Sequence, residues 1–448
     1  MTTGQNDRLR MTFAVSLPKK SNPHAHTDEL QEHNTDAPGA ERRNLAATLI
    51  FLSSFTAYTS VFPVFGPRIT ELFSLSAEEF GSLMGMQSLG RILALLMVGP
   101  LISWYGVRRI SELGFVGFGV GFLLLGVSSS IIMFQSGLTL LGLFIGVSSV
   151  AHPAFLFALY PAFKRRIFSI RLVSVAAPTV LLPLFAGAML HWSEGGGDET
   201  FRLVLGVPFL IVGGALVGGG LLMSLQRNPG EESTESEEQD LDQQQTSRRT
   251  RLFRLLNTRS ILVIVLICLH ASADNTVYIF LPMFMKNHFH DLPIEPALAV
   301  AGHGLAYLFT RSLLSVLPER VAQRAILCLS GPIGGVIVIV SIWSGSALYV
   351  PVLYTMACFC FAAEFPTLVS ELSSRSMASL GTVLAAAYLV AEVAKYAMLK
   401  MTGRVADQTG DYRVALSFAA AGFIAFGIIA FFTGLGKPEN AEAEQSKE

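Results

Sequence analysis

Residues 203–225 read LVLGVPFLIVGGALVGGGLLMSL, an apolar stretch without a charged side chain. The segment that follows, residues 227–259, is almost entirely polar and contains the acidic run EESTESEEQDLD at residues 231–242. About twenty apolar residues in a helix span the ~30 Å hydrocarbon core of a bilayer. A segment rich in acidic residues, serine and glutamine cannot bury a core of its own and stays flexible. This junction therefore predicts a membrane-spanning helix that ends in a linker outside the membrane.

Composition extends this interpretation to the whole chain. Of its 448 residues, 51% are hydrophobic and 15% are charged, whereas soluble domains carry about a quarter charged residues. Apolar runs of about twenty residues recur without the alternation typical of membrane-barrel strands, so the spans are predicted to be helices. We predict an all-α membrane protein with twelve spans. They fall near residues 45–66, 79–102, 110–132, 135–160, 173–191, 203–225, 261–284, 296–316, 325–344, 347–369, 379–400 and 414–434.

The central polar segment divides the predicted spans into two equal groups. We predict a disordered cytoplasmic tail, an N-terminal six-helix bundle, a linker, a C-terminal six-helix bundle and a second cytoplasmic tail, at residues 1–43, 44–226, 227–259, 260–435 and 436–448 respectively. The even-numbered connections hold most of the basic residues, among them Arg108, Arg109, Lys164, Arg165, Arg166, Arg171, Arg320, Arg324 and Arg375. By the positive-inside rule we expect both termini and the linker in the cytoplasm of a cell whose plasma or inner membrane holds the chain.

Charged side chains inside the predicted spans follow a pattern. They are Arg91, Asp274, Arg311, Glu364, Glu392 and Lys395. Each costs at least about 2.5–3.5 kcal/mol on insertion scales, so its position carries information. Predicted helices 3, 6, 9 and 12 have no charged residue beyond their first turn. This period of three helices predicts that those four face lipid while the others surround water.

The connection after helix 2 carries a family motif. It reads Gly99-Pro-Leu101-Ile-Ser103-Trp-Tyr-Gly106-Val-Arg108-Arg109. This stretch resembles the signature Gly-x-Leu-x-Asp-x-x-Gly-x-Arg-Arg of the major facilitator superfamily, with serine in place of the aspartate. Residues 403–413 resemble the connection after helix 11 of the same family, and the resemblance covers about residues 44–435. It implies two pseudo-symmetric six-helix bundles, and a conformational role for Gly99, Gly106, Arg108 and Arg109.

The two predicted halves also contain similar sequence segments. The segment TSVFPVF at residues 59–65 is similar to YIFLPMF at residues 278–284. Arg91 and Arg311 lie 220 residues apart (311 minus 91), which places them at corresponding positions of helices 2 and 8. Carriers built from internal repeats bind their solute at the repeat interface.

Arg91 and Arg311 are the leading candidates for solute binding. A guanidinium keeps its charge and offers forked donors, so two of them facing a cavity suit a carboxylate or phosphate. The alternative is that the buried positive and negative residues only neutralise one another. Asn275, Tyr278 and His152 are further candidates for solute contacts; for His152, the alternative is a hydrogen-bonded core histidine.

Proton coupling is predicted for a second set of residues. His270 and Asp274 are four apart and share one face of helix 7, where a carboxylate and a histidine can exchange protons near neutral pH. A polar cluster that shapes the helix is the alternative. Glu364 is a further titratable candidate, or else a partner for an arginine. Glu392 is another, although Lys395 three residues later can neutralise it.

These features predict a secondary active transporter, coupled to protons, for a small polar and anionic solute. The chain shows no metal-ligand set, phosphate loop or nucleophile–base pair, so we predict no enzyme activity, no metal and no cofactor. The expected partners are the solute, protons and the lipid bilayer, without nucleic acid, and the protein is expected to be monomeric. A proton-coupled sugar or multidrug carrier of the same fold is the first alternative, and a non-transporting membrane sensor is the second.

Overall fold

The computed structural model describes residues 37–160, 164–193, 197–226, 258–289, 295–316, 323–375 and 380–435. Within these ranges all regular structure is helical, as predicted, and the helices fall into twelve units that we number in chain order. The first six are α1 (Ala37–Phe55, the 3-10 helix Thr56–Val61 and Phe62–Phe73), α2 (Ala77–Tyr105), α3 (Val107–Gly126), α4 (Ile131–Leu159), α5 (Lys164–Ala176 and Pro178–Ser193) and α6 (Gly197–Leu225). The second six are α7 (Thr258–His288), α8 (Glu295–Val316), α9 (Gln323–Trp343), α10 (Tyr349–Phe361 and Glu364–Arg375), α11 (Leu380–Thr409) and α12 (Tyr412–Thr433).

Eleven of these units, within the described ranges, are long and apolar enough to cross a membrane. The twelfth, α11, is 30 residues long and carries Glu392, Lys395, Lys400 and Arg404. It packs along α2 and against α7 and α12, so its charged side chains lie beside other helices of the protein. The structure therefore has the predicted twelve helices: eleven apolar helices and the charged helix α11, which packs against the first half.

The packing repeats from one half to the other. In the first half, α4 packs on α2 and α3, and α3 packs on α6; in the second half, α10 packs on α8 and α9, and α9 packs on α12. The halves meet through α2 with α11, α5 with α8, and α1 with α7. We call the end of the bundle where α6 ends and α7 begins the linker face, and the opposite end the far face.

Small residues join the outer helices, as the glycine content of α3 and α6 suggests. A side chain at Gly119 of α3 would lie 2.6 Å from the carbonyl oxygen of Gly213 on α6, so only glycine allows these two backbones to approach this closely. The outward face of α6 is apolar, with Ile211 and Leu222 more than 60% exposed. Such a surface suits lipid contact.

Helix starts differ from the sequence prediction at two places. Residues 37–43, predicted to belong to a disordered tail, form the first turns of α1, because Pro38 is tolerated where the first N–H groups of a helix have no partner anyway. Helix α7 begins at Thr258, inside the predicted linker. The other residues of the predicted tails and linker, 1–36, 227–257 and 436–448, lie outside the described residues.

Breaks within helices shape the interface between the halves. Helix α5 is interrupted at Ala177, because Pro178 lacks an N–H and disfavours helical geometry in the residue before it. The middle of α1 tightens into the 3-10 helix Thr56–Val61 just before Pro63. Helix α10 restarts at Glu364, with Pro366 in its first turn. Two of these breaks, in α1 and α5, lie at the wall of the central cavity.

Candidate functional site

A cavity of about 560 Å³ lies between the two halves. Its wall is built from α1, α2, α4 and α5 of the first half, with Phe118 of α3, and from α7, α8 and α11 of the second half. The charged residues of this wall are Arg91, Arg171, Asp274 and Arg311, joined by His303. Charged groups therefore converge at the repeat interface, where carriers with internal repeats hold their solute.

The cavity is closed on its far side. The wall on α2 reaches Met84 and goes no further toward the far face. Beyond this point Gly81 of α2 contacts the backbone carbonyl of Leu399 on α11. Nearby, the rings of Phe80 and Phe280 meet edge to face with centroids 5.7 Å apart. The cavity accordingly extends from the middle of the bundle toward the linker face.

Arg91 is held by an acidic partner across the interface. Its Nη1 donates to Oε1 of Glu392 at 3.1 Å, and the same carboxylate accepts from Nζ of Lys395 at 2.7 Å and from Oγ of Ser88 at 2.8 Å. Glu392 is only 4% exposed, so water screens these contacts little. This network links α2 to α11 with one carboxylate between two cations.

Asp274 faces the cavity together with a histidine of the neighbouring helix. Its Oδ1 lies 3.1 Å from Nε2 of His303 on α8. The His303 ring lies between two tyrosines, with centroid distances of 4.3 Å to Tyr307 and 4.5 Å to Tyr278. A carboxylate and an imidazole are thus held within hydrogen-bond distance at the cavity wall.

His270 points into the second half and pairs with Glu364. Its Nδ1 lies 2.8 Å from Oε2 of Glu364 on α10, and Oε1 of that carboxylate accepts from Oγ of Ser330 at 2.7 Å. Phenylalanine rings surround the imidazole at centroid distances of 6.1–6.5 Å, namely those of Phe361, Phe365, Phe423 and Phe426. This pair is enclosed among α7, α9, α10 and α12, away from the cavity wall.

Two arginines of the cavity wall have no acidic partner among the described residues. The guanidinium of Arg311 lies over the ring of Tyr307, 4.7 Å from its centroid, an attractive cation–π arrangement. Neither Arg311 nor Arg171 forms an ion pair within the described ranges. The Nε atoms of both are buried without a hydrogen-bond partner. The cavity therefore offers free guanidinium groups.

A family model described as Major Facilitator Superfamily matches residues 47–395. This chain belongs to the major facilitator superfamily. The match covers most of both halves, and the family together with the apolar helices makes the protein a multi-pass membrane transporter. The resemblance predicted from the motif after α2 is confirmed.

Solved structures of other major facilitator proteins share the fold. A bacterial homologue of the human lysosomal transporter Spinster, in an inward-facing and occupied conformation, gives a TM-score of 0.65 at 17% identity, covering 88% of this chain and 95% of that one. A D-xylose–proton symporter gives 0.62 at 17% identity, covering 86% and 97%. No protein of curated function matches the sequence of this transporter. At such low identity the likeness concerns the fold alone.

The predicted site residues of this transporter separate into two sets. The structure brings Arg91, Arg311, Asn275, Tyr278 and Asp274 together at the cavity wall. The other four, His152, His270, Glu364 and Glu392, do not line it. His270 and Asp274, predicted to act together from one face of α7, bind partners on different helices. No observation tests the individual roles, which stay predictions.

His152 behaves as a core histidine of the transporter. It is fully buried, its ring stacks on Phe115 with centroids 4.1 Å apart, and its Nε2 lies 3.2 Å from the carbonyl oxygen of Ser111 on α3. These contacts join α4 to α3 within the first half. They match the hydrogen-bonded alternative weighed for this residue.

Sequence reasoning missed two charged or titratable residues of the wall. Arg171 was assigned to the basic connection after α4, although Ile167, Phe168 and Ile170 separate it from the cluster at residues 164–166. That apolar spacing was the available signal that α5 had already begun. His303 is not among the residues predicted from the sequence, since its partner Asp274 lies on another helix, which sequence spacing cannot show.

The motif after α2 contacts the first half of the transporter itself. Arg108 binds Glu112 one turn later at 2.8 Å and donates to the carbonyl of Met223, in the last turn of α6, and to that of Gln226, just after α6 ends. It thus caps the C-terminal end of a helix, where cations are favoured. Ser103, at the aspartate position of the motif, donates to the carbonyl of Gly99.

Proposed function

We propose that this carrier moves a small anionic solute across the membrane by alternating access, driven by coupled protons. The observation that carries the proposal is Arg311: its guanidinium faces the cavity between the halves and has no carboxylate partner among the described residues. A charge held away from bulk water is unfavourable unless something pairs with it. An anionic solute supplies that partner.

Proton coupling is assigned in this proposal to Asp274 and His303. They form the carboxylate–imidazole pair of the cavity wall, 3.1 Å apart, and Arg311 lies within the same cavity. A proton taken up by the pair adds positive charge next to the bound anion. Solute and proton binding then support each other, which is the requirement for coupled movement.

We also propose that the linker face is cytoplasmic and that one chain is sufficient. The basic residues of the even-numbered connections support this orientation by the positive-inside rule. Both sides of the cavity come from the same chain, so no second copy is needed to complete it. In this orientation the described cavity extends toward the cytoplasm, and the membrane is the plasma or inner membrane.

A neutral sugar is a weaker candidate for the same cavity. The rings of Tyr278, Tyr307 and Tyr388 line the wall and could stack on a sugar ring. A neutral solute would nevertheless leave Arg311 unpaired in the occupied state. The free guanidinium therefore favours the anion.

Counterflow in proteoliposomes tests the proposal. We expect the purified protein to exchange radiolabelled organic acids or inorganic phosphate in preference to sugars, and an imposed proton gradient to drive their accumulation. Arg311→Gln should abolish exchange, whereas Arg202→Gln, which removes an exposed arginine of α6, should leave it unchanged. Exchange of sugars in preference to anions, or anion exchange unaffected by Arg311→Gln, would contradict the anion assignment.

A further inference from the structure

Arg171 is a cavity residue with unused hydrogen-bonding capacity. It lies in the first segment of α5, six residues before the break at Ala177, and its side chain lines the wall that also contains Arg311. Its Nε is buried and has no hydrogen-bond partner among the described residues. Its neighbour Ser174 binds the backbone carbonyls of Arg171 and of Ile50 on α1, which ties this turn of α5 to the rest of the first half.

The charges in and beside the cavity do not balance. Arg91, Arg171, Arg311 and Lys395 are cationic, whereas Glu392 and Asp274 are the carboxylates that face them among the described residues. With His303 neutral, four cations against two carboxylates leave two positive charges. Glu392 binds Arg91 and Lys395, and Asp274 binds His303. The cations without a carboxylate partner among the described residues are therefore Arg171 and Arg311.

These two arginines come from opposite halves of the protein. Arg171 belongs to α5 and Arg311 to α8, and both segments of α5 pack against α8 across the interface. A solute with one anionic group would satisfy one arginine and leave the other unpaired. A solute with two anionic groups would satisfy both and tie the halves together.

We propose that Arg171 is a specificity-determining residue and that the solute is a small dianion, with one anionic group bound by Arg171 and the other by Arg311. The inference rests on the proposed function, because it adds a second contact to the same anion site. A guanidinium–anion contact is charge-assisted and stronger than a neutral hydrogen bond. Loss of the Arg171 contact should therefore lower dianion affinity about ten- to hundredfold.

Matched pairs of ligands test this inference on the purified full-length protein. Binding is measured by calorimetry at pH 7.5 for the dicarboxylates from malonate to adipate and for the monoamide of each, which has nearly the same shape and one charge fewer. We expect at least one dicarboxylate to bind about tenfold or more tightly than its monoamide. Arg171→Gln should remove that preference, Arg171→Lys should retain part of it, and Arg202→Gln should leave it unchanged.

The ratio of the two affinities within each variant separates a specificity role from a structural one, since partial misfolding lowers both affinities together. An equal fall for dicarboxylate and monoamide in Arg171→Gln and in Arg171→Lys would overturn the inference. So would a wild-type protein that binds both ligands equally. In either case anion binding that depends on Arg311 would leave the proposed function intact, whereas a complete lack of anion binding would overturn the proposed function itself.

Discussion

The carboxylate of Asp407, near the end of α11, accepts two hydrogen bonds from the first turn of α2: from the N–H of Ala77 at 2.9 Å and from the N–H of Glu78 at 2.8 Å. The first N–H groups of a helix have no partner within it, and they form the positive end of the helix dipole. One turn earlier, Arg404 donates to both carboxylate oxygens of Glu78, at 2.8 and 3.1 Å. The two halves are thus joined at the far face by a side chain that caps a helix of the other half.

Loss of the Asp407 cap should open the far face. Removing a capping side chain costs about 0.5–2 kcal/mol, so Asp407→Ala should shift the equilibrium about two- to thirtyfold toward a far-side-open state. Spin labels at Ser129 and Leu348, far-face positions in opposite halves, report this change after the four native cysteines are replaced. The population with the longer label-to-label distance should grow.

Asp198→Asn is the matched control for that experiment. Asp198 is also an exposed far-face aspartate, but its partner Arg68, at 2.7 Å, belongs to the same half. Its loss should leave the distance distribution unchanged. An unchanged distribution in Asp407→Ala as well would mean that the cap does not hold the far face closed.

The close contact of α2 with α11 gives a second prediction. A methyl group at Gly81 would collide with the backbone carbonyl of Leu399, and a helix backbone cannot move aside as a flexible side chain can. Gly81→Ala should therefore reduce the far-side-closed population, measured with the same label pair. Gly214→Ala on α6 adds the same methyl group to open space and should leave the distribution unchanged; equal distributions for the two variants would refute the proposed role of the contact.

The fold could be predicted from the sequence because the bilayer imposes one length on every span. Even α11 was predicted as a helix, since the apolar residues around Glu392 and Lys395 still fill a span near residues 379–400. The start of α1 at Ala37 could not be predicted. Pro38 and Gly39 are typical of a loop, and the sequence does not show how the first turn packs. Span lengths are local properties, and local properties can be predicted from sequence.

The pairing of side chains in the site depends on packing between helices. Spacing places His270 and Asp274 on one face of α7, but it does not reveal that α10 presents Glu364 to the first and α8 presents His303 to the second. Likewise, Glu392 neutralises Arg91, whereas no carboxylate of the described residues pairs with Arg311. Whether a buried charge is paired depends on the side chains of the neighbouring helices, and a single sequence does not show which helices are neighbours.

The Glu392 network gives a third prediction. Glu392→Gln removes the carboxylate that neutralises Arg91 and Lys395 and leaves two neighbouring cations in a largely buried site. Breaking a buried ion pair costs about 3–5 kcal/mol, so the melting temperature in detergent should fall clearly. Lys395→Met leaves Glu392 paired with Arg91 and should lower the melting temperature less. A larger fall in melting temperature for Lys395→Met than for Glu392→Gln would contradict this distribution of charge.

The enclosed pair of His270 and Glu364 gives a fourth prediction. His270→Phe leaves a fully buried carboxylate with Ser330 as its remaining partner, and it should destabilise the protein by about 3–5 kcal/mol. The double variant His270→Phe/Glu364→Leu replaces the pair by apolar side chains among the surrounding phenylalanines. Such replacements are often neutral or stabilising, so its melting temperature should return close to that of the wild type.

Transport by the double variant then decides whether this pair carries protons, as the sequence suggested. The cavity wall already contains a titratable pair in Asp274 and His303, whereas His270 and Glu364 do not reach it. We therefore expect the double variant to retain proton-driven solute accumulation, and Asp274→Asn to lose it while retaining counterflow. A stable double variant that exchanges solute but no longer accumulates it would assign the proton to His270 and Glu364 instead, because the loss could not then be attributed to misfolding.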